Sequence, residues 1–143
     1  MKTLLITLLT LGALSANAQE VTPVQVPEKA VAQLEKMRKQ TQNVVVVGRK
    51  GSTLPPETRP MLNKVLLQSA TDFLTITAKK PTKEAYFKSV DTGLSRLMAM
   101  VPNQEDRVEV AEFYQDLLDI VGLESSEGRL VAFVEGGGLV AKP

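Results

Sequence analysis

Apolar residues recur at helical spacing in the stretch from Asn103 to Gly128, and acidic residues recur on the opposite side of the same helix. When Glu105 is placed at zero and each residue advances by about 100°, the apolar residues fill one continuous arc. The members of this arc are Val110, Ala111, Phe113, Tyr114, Leu117, Leu118, Ile120 and Val121. An arc this wide is typical of a helix that is buried against more than one neighbour. The pattern therefore predicts a long central helix that begins at Asn103 and ends before Gly122.

Two turn signals follow this helix. Gly122 and Leu123 are typical of a helix end with a glycine in the left-handed conformation and an apolar residue that folds back. Ser125 or Ser126 then offers a cap for another short helix, with Gly128 in the same turn. The segment 130–134 fits either that short helix or a strand, and the capping serines favour the helix.

Helical spacing also predicts three earlier helices. The first begins at Pro27 and ends at 40–42, the second covers 61–79, and the third follows a Thr82 cap and runs to about Val101. Four valines at 44–47 are the best β-strand candidate, although an isolated strand needs a partner. We therefore predict an all-α, bundle-like domain of four or five helices, with at most one short extended segment near 44–47.

The first 18 residues have the pattern of a secretory signal peptide. Lys2 precedes an apolar run at 4–14, and Ala16-Asn17-Ala18 forms a small-x-small cleavage site. The run is too short to span a membrane. We expect cleavage after Ala18, a flexible leader at 19–26, one helical domain at 27–134 and a flexible glycine-rich tail at 135–143. The absence of cysteine excludes a lipid anchor and disulfides, and it favours a periplasmic or secreted protein of a Gram-negative bacterium.

Charge is distributed unevenly along the chain. Residues 19–100 contain 13 basic and 7 acidic residues, a net of +6, whereas residues 101–143 contain 3 and 9, a net of −6. Nucleic-acid-binding proteins usually show a basic excess with interleaved aromatics. This chain has only 2 tyrosines and 4 phenylalanines, no tryptophan, and balanced charge once Lys2 is removed. We expect no nucleic-acid partner and no membrane association after cleavage.

The chain lacks the residues on which most catalytic sites depend. It has no histidine and no cysteine, which removes the commonest general base and the common nucleophile pairs. Gly48 and Gly51 lie in a basic loop, but their spacing does not match a phosphate-binding loop. We therefore assign no catalytic, cofactor-binding or metal-binding residue. Arg107, at the edge of the apolar arc, is expected to pair with Asp72 or Asp91.

Five carboxylates form a stripe on the polar side of the central helix. The members of this acidic stripe are Glu105, Glu109, Glu112, Asp116 and Asp119. Their spacings of four, three, four and three leave no basic residue among them, so neighbouring charges repel. A solvated outer face is the simplest interpretation. The alternative is a surface that binds a basic protein partner.

The run EDRVEVAEFYQDLLDIVGLESSEGRLV, at 105–131, resembles DUF4844, a family of small bacterial proteins of unknown function. The similarity lies in an acidic and aromatic helix that leads into a Gly-Leu/Ile-Glu-Ser-Ser-x-Gly turn, here at 122–128. The resemblance implies a mostly helical secreted domain and supplies no activity.

Three function classes stay open at this point. The leading hypothesis is a non-enzymatic secreted interaction protein, of the immunity or inhibitor kind, that presents a charged helix face to a protein partner. The second is a small-ligand carrier with an apolar cavity between its helices. The third is a hydrolase that uses carboxylates alone, which would need two carboxyl groups facing each other.

Overall fold

The computed structural model describes residues 21–44, 46–47, 52 and 54–136. In these ranges the chain forms five helices and no β-sheet. They are α1 (Ala30–Asn43), α2 (Thr58–Lys79), α3 (Lys83–Met98), α4 (Gln104–Ile120) and α5 (Arg129–Glu135). The predicted all-α fold is confirmed. The predicted signal peptide at 1–18 and the glycine-rich tail from residue 137 onwards lie outside the described residues.

The hydrophobic core takes side chains from all five helices. α1 packs on α2, α2 packs on α3, and α4 contacts α1, α2 and α5. These several neighbours explain the wide apolar arc of α4, because each neighbour covers a different part of it. The largest fully buried side chains are Tyr86, Tyr114, Phe73 and Phe133.

The end of α4 has the turn that the sequence predicts. Gly122 has a φ of 89°, and its N–H donates to the Asp119 carbonyl at 3.0 Å. The N–H of Leu123 donates to the Leu118 carbonyl at 2.8 Å. These two bonds form the Schellman arrangement, in which an apolar residue after the glycine folds back on the last turn.

The two serines after this turn lead into α5. Ser125 Oγ accepts a hydrogen bond from the Glu127 N–H at 3.0 Å, and Ser126 Oγ accepts one from the Leu130 N–H at 3.3 Å. Gly128, with a φ of 87°, precedes the first helical residue. The helical alternative for residues 130–134 is thereby confirmed over the strand.

The valine segment after α1 fills space in the core without joining a sheet. Val47 is fully buried, and the Val46 N–H donates to Asn63 Oδ1 on α2 at 3.0 Å. Asn63 Nδ2 in turn donates to the Thr41 carbonyl near the end of α1. One side chain thus satisfies an N–H of the extended segment and one of the free carbonyls in the last turn of α1. Residue 45 lies outside the described residues.

Arg107 does not make the predicted ion pair. Its Nε donates to the Val101 carbonyl at 2.8 Å, so the guanidinium holds the backbone of the α3–α4 connection. Asp91 pairs instead with Arg129 of α5 at 2.8 Å. The prediction of an Arg107 pair with Asp72 or Asp91 was wrong because position on a helical wheel does not show which neighbouring backbone groups need a donor.

Residues 21–26 lie against the α2–α3 connection. The Val24 N–H donates to the Pro81 carbonyl at 3.0 Å, and the Lys83 N–H donates to the Thr22 carbonyl at 2.8 Å. Glu84 accepts from both the N–H and the Oγ1 of Thr22, at 2.7 and 2.9 Å. Packed structure therefore begins earlier than the boundary at residue 27 that the sequence suggests.

Acidification is expected to weaken this N-terminal attachment. The Thr22 N–H and its hydroxyl lower the pKa of Glu84 below the ordinary value of 4.5. Because the folded pKa is depressed, the stabilisation is complete above pH 4.5 and is lost as the pH falls through the folded pKa. The hydrogen-exchange protection factor of the Thr22 amide should fall in that window. In Glu84→Gln the protection should be low at neutral pH and independent of pH. Equal protection in the two proteins at pH 7 would contradict this assignment.

Candidate functional site

The acidic stripe lies on the outer side of α4. Glu105, Glu112, Asp116 and Asp119 are exposed, and Glu109 is half-buried. In the part of the chain that the structure describes, Arg38, Lys83 and Arg129 form ion pairs with carboxylates outside the acidic stripe. Their partners are Glu35, Glu127 and Asp91. Two ion pairs, Lys83–Glu127 and Arg129–Asp91, join the basic half of the chain to the acidic half. The four exposed carboxylates remain open to solvent.

A groove of about 700 Å³ separates α1 from the last turns of α4. The exposed side chains on its α1 wall are Gln33, Lys36 and Gln40, and Val44 follows directly after the helix. Those on its α4 wall are Asp116 and Asp119. Buried or half-buried apolar side chains make its floor: Met37, Val46, Phe113 and Ile120. The α1–α4 groove thus combines an apolar floor with one carboxylate-bearing wall. Its size is within the usual range for binding pockets, roughly 300–1,000 Å³.

The α1 wall was missed by the sequence analysis. Gln33, Lys36 and Gln40 are three and four residues apart, so they lie on one face of α1. That periodic polar row was a usable signal. The row alone does not show which helix lies opposite, so it marks a polar face of α1 and not a groove.

Asp119 and Asp116 differ in how they are held. Gln115 Nε2 donates to Asp119 Oδ1 at 2.8 Å and to the Glu124 carbonyl at 3.0 Å, which fixes the Asp119 carboxylate beside the end of α4. Partial burial, followed by the like charges of Asp119 and Glu112, raises the pKa of Asp116 above its ordinary value of 3.8. The Asp116 carboxylate is therefore partly removed from water and lies near two like charges on its own helix.

Removal of the Asp116 charge is expected to stabilise the fold slightly. Asp116→Asn relieves repulsion from Glu112 and Asp119, for a gain of about 0.5 kcal/mol at pH 7. Because the folded pKa of Asp116 is raised, its unfavourable contribution to stability is lost as the pH falls through that pKa. The difference between the two proteins should therefore vanish below pH 3.8, where the side chain is protonated in both states. Urea unfolding at pH 7 and pH 3 measures this.

A matched control for this prediction is Glu35→Gln on α1. Glu35 accepts from Arg38 at 2.9 Å, so its neutralisation removes an attraction and should leave stability unchanged or slightly lower. A loss of stability in Asp116→Asn as large as that of the control would show that Asp116 has a favourable partner within the fold.

The geometry of the groove suits binding more than acid–base chemistry. Asp116 and Asp119 project from one helix and share the groove with an ammonium group and two amides on the other wall. Glycoside hydrolysis would need two carboxyl groups on opposite sides of a cleft. Over the described ranges, no three carboxylates are grouped closely enough to form a candidate metal site.

A second, more apolar groove of about 370 Å³ lies between α4 and α5. Val108, Ala111, Val131 and Val134 line it, and Val108 and Val131 are well exposed.

None of the helices in the described ranges combines the length and apolar character needed to cross a membrane.

The family match covers the whole helical domain. The family model described as "Domain of unknown function (DUF4844)" matches residues 25–137, a range that includes all five helices, both walls of the α1–α4 groove and the Gly122–Gly128 turn. No curated protein and no solved structure matches the chain. The resemblance seen in residues 105–131 therefore extends over most of the sequence, and this chain belongs to the DUF4844 family.

Proposed function

We propose that this chain is an exported protein-interaction domain that binds a basic surface of another protein through the acidic stripe of α4. The observation that carries the proposal is the set of exposed carboxylates on one helix, with ion pairs of the described residues formed elsewhere. Neighbouring like charges on such a surface repel in the isolated domain, and after partial burial the charges of Asp119 and Glu112 are the next causes of the raised pKa of Asp116. A cationic partner would turn that repulsion into attraction.

The proposal also includes export of the chain and an immunity-like or inhibitor-like role. The pattern of residues 1–18 supports export, since it combines a basic start, an apolar run and a small-x-small cleavage site. An immunity-like or inhibitor-like role agrees with a compact domain whose distinctive surface is charged. Charged surfaces of this kind accelerate association and select among partners more than they add affinity.

Affinity capture tests the proposal. The tagged chain from residue 19 onwards is used as bait in the native envelope and secreted fractions at moderate salt, beside two variants of equal charge. The α4 variant carries E105Q, E112Q, D116N and D119N. The distal variant carries E28Q, E57Q, E124Q and E135Q, which neutralise exposed carboxylates outside the stripe.

The expected result is a protein retained by the wild-type chain and by the distal variant but lost from the α4 variant. Retention should also decrease as salt rises from about 0.1 to 1 M, because the Debye length shortens from about 10 to 3 Å. Equal retention by all three proteins, or no retained protein at all, would refute the proposed function.

A further inference from the structure

We infer that the α1–α4 groove binds an extended segment of the partner that carries a lysine or arginine close to an apolar side chain. The inference rests on the proposed function and adds to it the place and the chemistry of recognition. It draws on features that the acidic stripe alone does not have: an apolar floor, a second wall on α1, and a length suited to a short stretch of chain.

The length of the groove sets the size of the segment. The lining residues of α1 run from Gln33 to Thr41, a rise of about 12 Å at 1.5 Å per residue. An extended chain advances by about 3.3 Å per residue, so about four residues would lie along this wall.

The α1 wall offers partners for a polypeptide backbone. Gln33 and Gln40 are exposed on the same wall, and each amide can both donate and accept hydrogen bonds. Their seven-residue separation corresponds to about 10 Å along the helix, close to three residues of an extended chain. Two amides at this spacing can therefore meet backbone groups of the same segment.

The two walls also define where the positive charge must lie. Asp116 and Asp119 attract a cation on the α4 side, and the like charge of Glu112 adds to that potential. Lys36 on the α1 wall would repel a cation placed beside it. A bound lysine or arginine is thus directed to the α4 side, which fixes the lateral position of the segment.

The floor provides the apolar half of the recognition. Met37 and Ile120 are half-buried and Phe113 is almost fully buried, so an apolar side chain that enters the groove removes the remaining surface of Met37 and Ile120 from water. Met37 is flexible and can adapt to side chains of different shape. A wholly apolar ligand would remove water from Asp116 without replacing it, and an anionic ligand would be repelled, so neither fits the site as well.

Phage-displayed random dodecapeptides panned against the tagged domain test the inference directly. The enriched peptides should share a lysine or arginine within two residues of an apolar residue. A synthetic peptide made from the enriched sequence should bind D116N/D119N at least tenfold more weakly than the wild-type domain. Its affinity for E28Q/E57Q, the matched control, should stay within twofold. Both variants change only exposed side chains, and circular dichroism verifies that they fold.

The outcomes separate this inference from the proposed function. No enrichment, or peptides that bind D116N/D119N as well as they bind the wild type, would overturn the inference. If a natural partner is captured and depends on Glu105 and Glu112 but not on Asp116 and Asp119, the proposed function stands and the groove assignment fails. If nothing is captured from the native fractions while the peptides do bind the groove as expected, the groove assignment stands and the proposed function fails.

Discussion

Replacement of Gly93 by alanine is expected to destabilise the domain by about 3 kcal/mol, from overpacking combined with a damaged buried hydrogen bond. A Cβ at this position would lie 2.0 Å from Tyr114 Oη and 2.9 Å from Ser69 Oγ. These two hydroxyls share a buried hydrogen bond of 2.6 Å that joins α2 to α4, and Gly93 of α3 closes over it. An exposed helical glycine replaced by alanine would instead gain about 0.5–1 kcal/mol, so the expected sign is reversed. Equilibrium urea unfolding measures the change.

The variant Tyr114→Phe tests the cause of this effect. Loss of the hydroxyl removes the nearest atom to the new Cβ, so Gly93→Ala should cost less in the Tyr114→Phe background than in the wild type. The difference between the costs of Gly93→Ala in the two backgrounds would then measure the strain caused by the Tyr114 hydroxyl. Equal costs in both backgrounds would show that the close approach of α3 to Tyr114 does not determine the stability. Burial also raises the pKa of Tyr114, in keeping with a hydroxyl that has no access to solvent.

Replacement of Phe133 by alanine is expected to cost about 3–5 kcal/mol and to detach α5. This helix has only seven residues, too few to be stable in water without tertiary contacts. Phe133 is fully buried and Leu130 nearly so, whereas Val131 of the same helix is 60% exposed. Hydrogen exchange should therefore lose protection over residues 129–135 in Phe133→Ala.

The matched control in the same helix is Val131→Ala. It removes a mostly exposed side chain and should change the unfolding free energy by less than about 0.5 kcal/mol. Arg129 holds the start of α5 through its bond to Asp91, and its guanidinium lies 4.2 Å from the centroid of the Phe87 ring. If Phe133→Ala left α5 fully protected, these polar contacts would be the main anchor of the helix.

Local signals were sufficient to predict the helices and several of their ends. Thr82 accepts from the Ala85 N–H as the predicted cap of α3, and Gly122 closes α4 as predicted. These features are set by residues within a few positions of one another, so a sequence pattern can reveal them.

Long-range polar contacts could not be predicted in the same way. Thr22 meets Glu84 across 62 positions, and Arg129 meets Asp91 across 38. Exposed polar side chains have no periodicity that identifies their partners, because solvent satisfies them in many arrangements. The α1 wall of the groove depends likewise on how α1 crosses α4, which is decided by side-chain packing. The stripe could therefore be read from the sequence, but the groove beside it could not.

The residues that stabilise this fold and the residues proposed to bind a partner should respond differently to replacement. Residues that hold the fold should lose stability when replaced, as expected for Gly93 and Phe133. Residues kept for binding often cost stability in the free protein. The exposed carboxylates of α4 are expected to belong to the second group, since the described ion pairs lie elsewhere.

The most direct test measures both properties on the α4 variant, which carries E105Q, E112Q, D116N and D119N. Its free energy of unfolding at pH 7 and its retention of the partner captured by the wild-type chain are compared with those of the wild type. We expect the α4 variant to be as stable as the wild type or more stable, and to bind the partner at least tenfold more weakly. Lower stability with unchanged retention would contradict this expectation, because the acidic stripe would then serve the fold and not a partner.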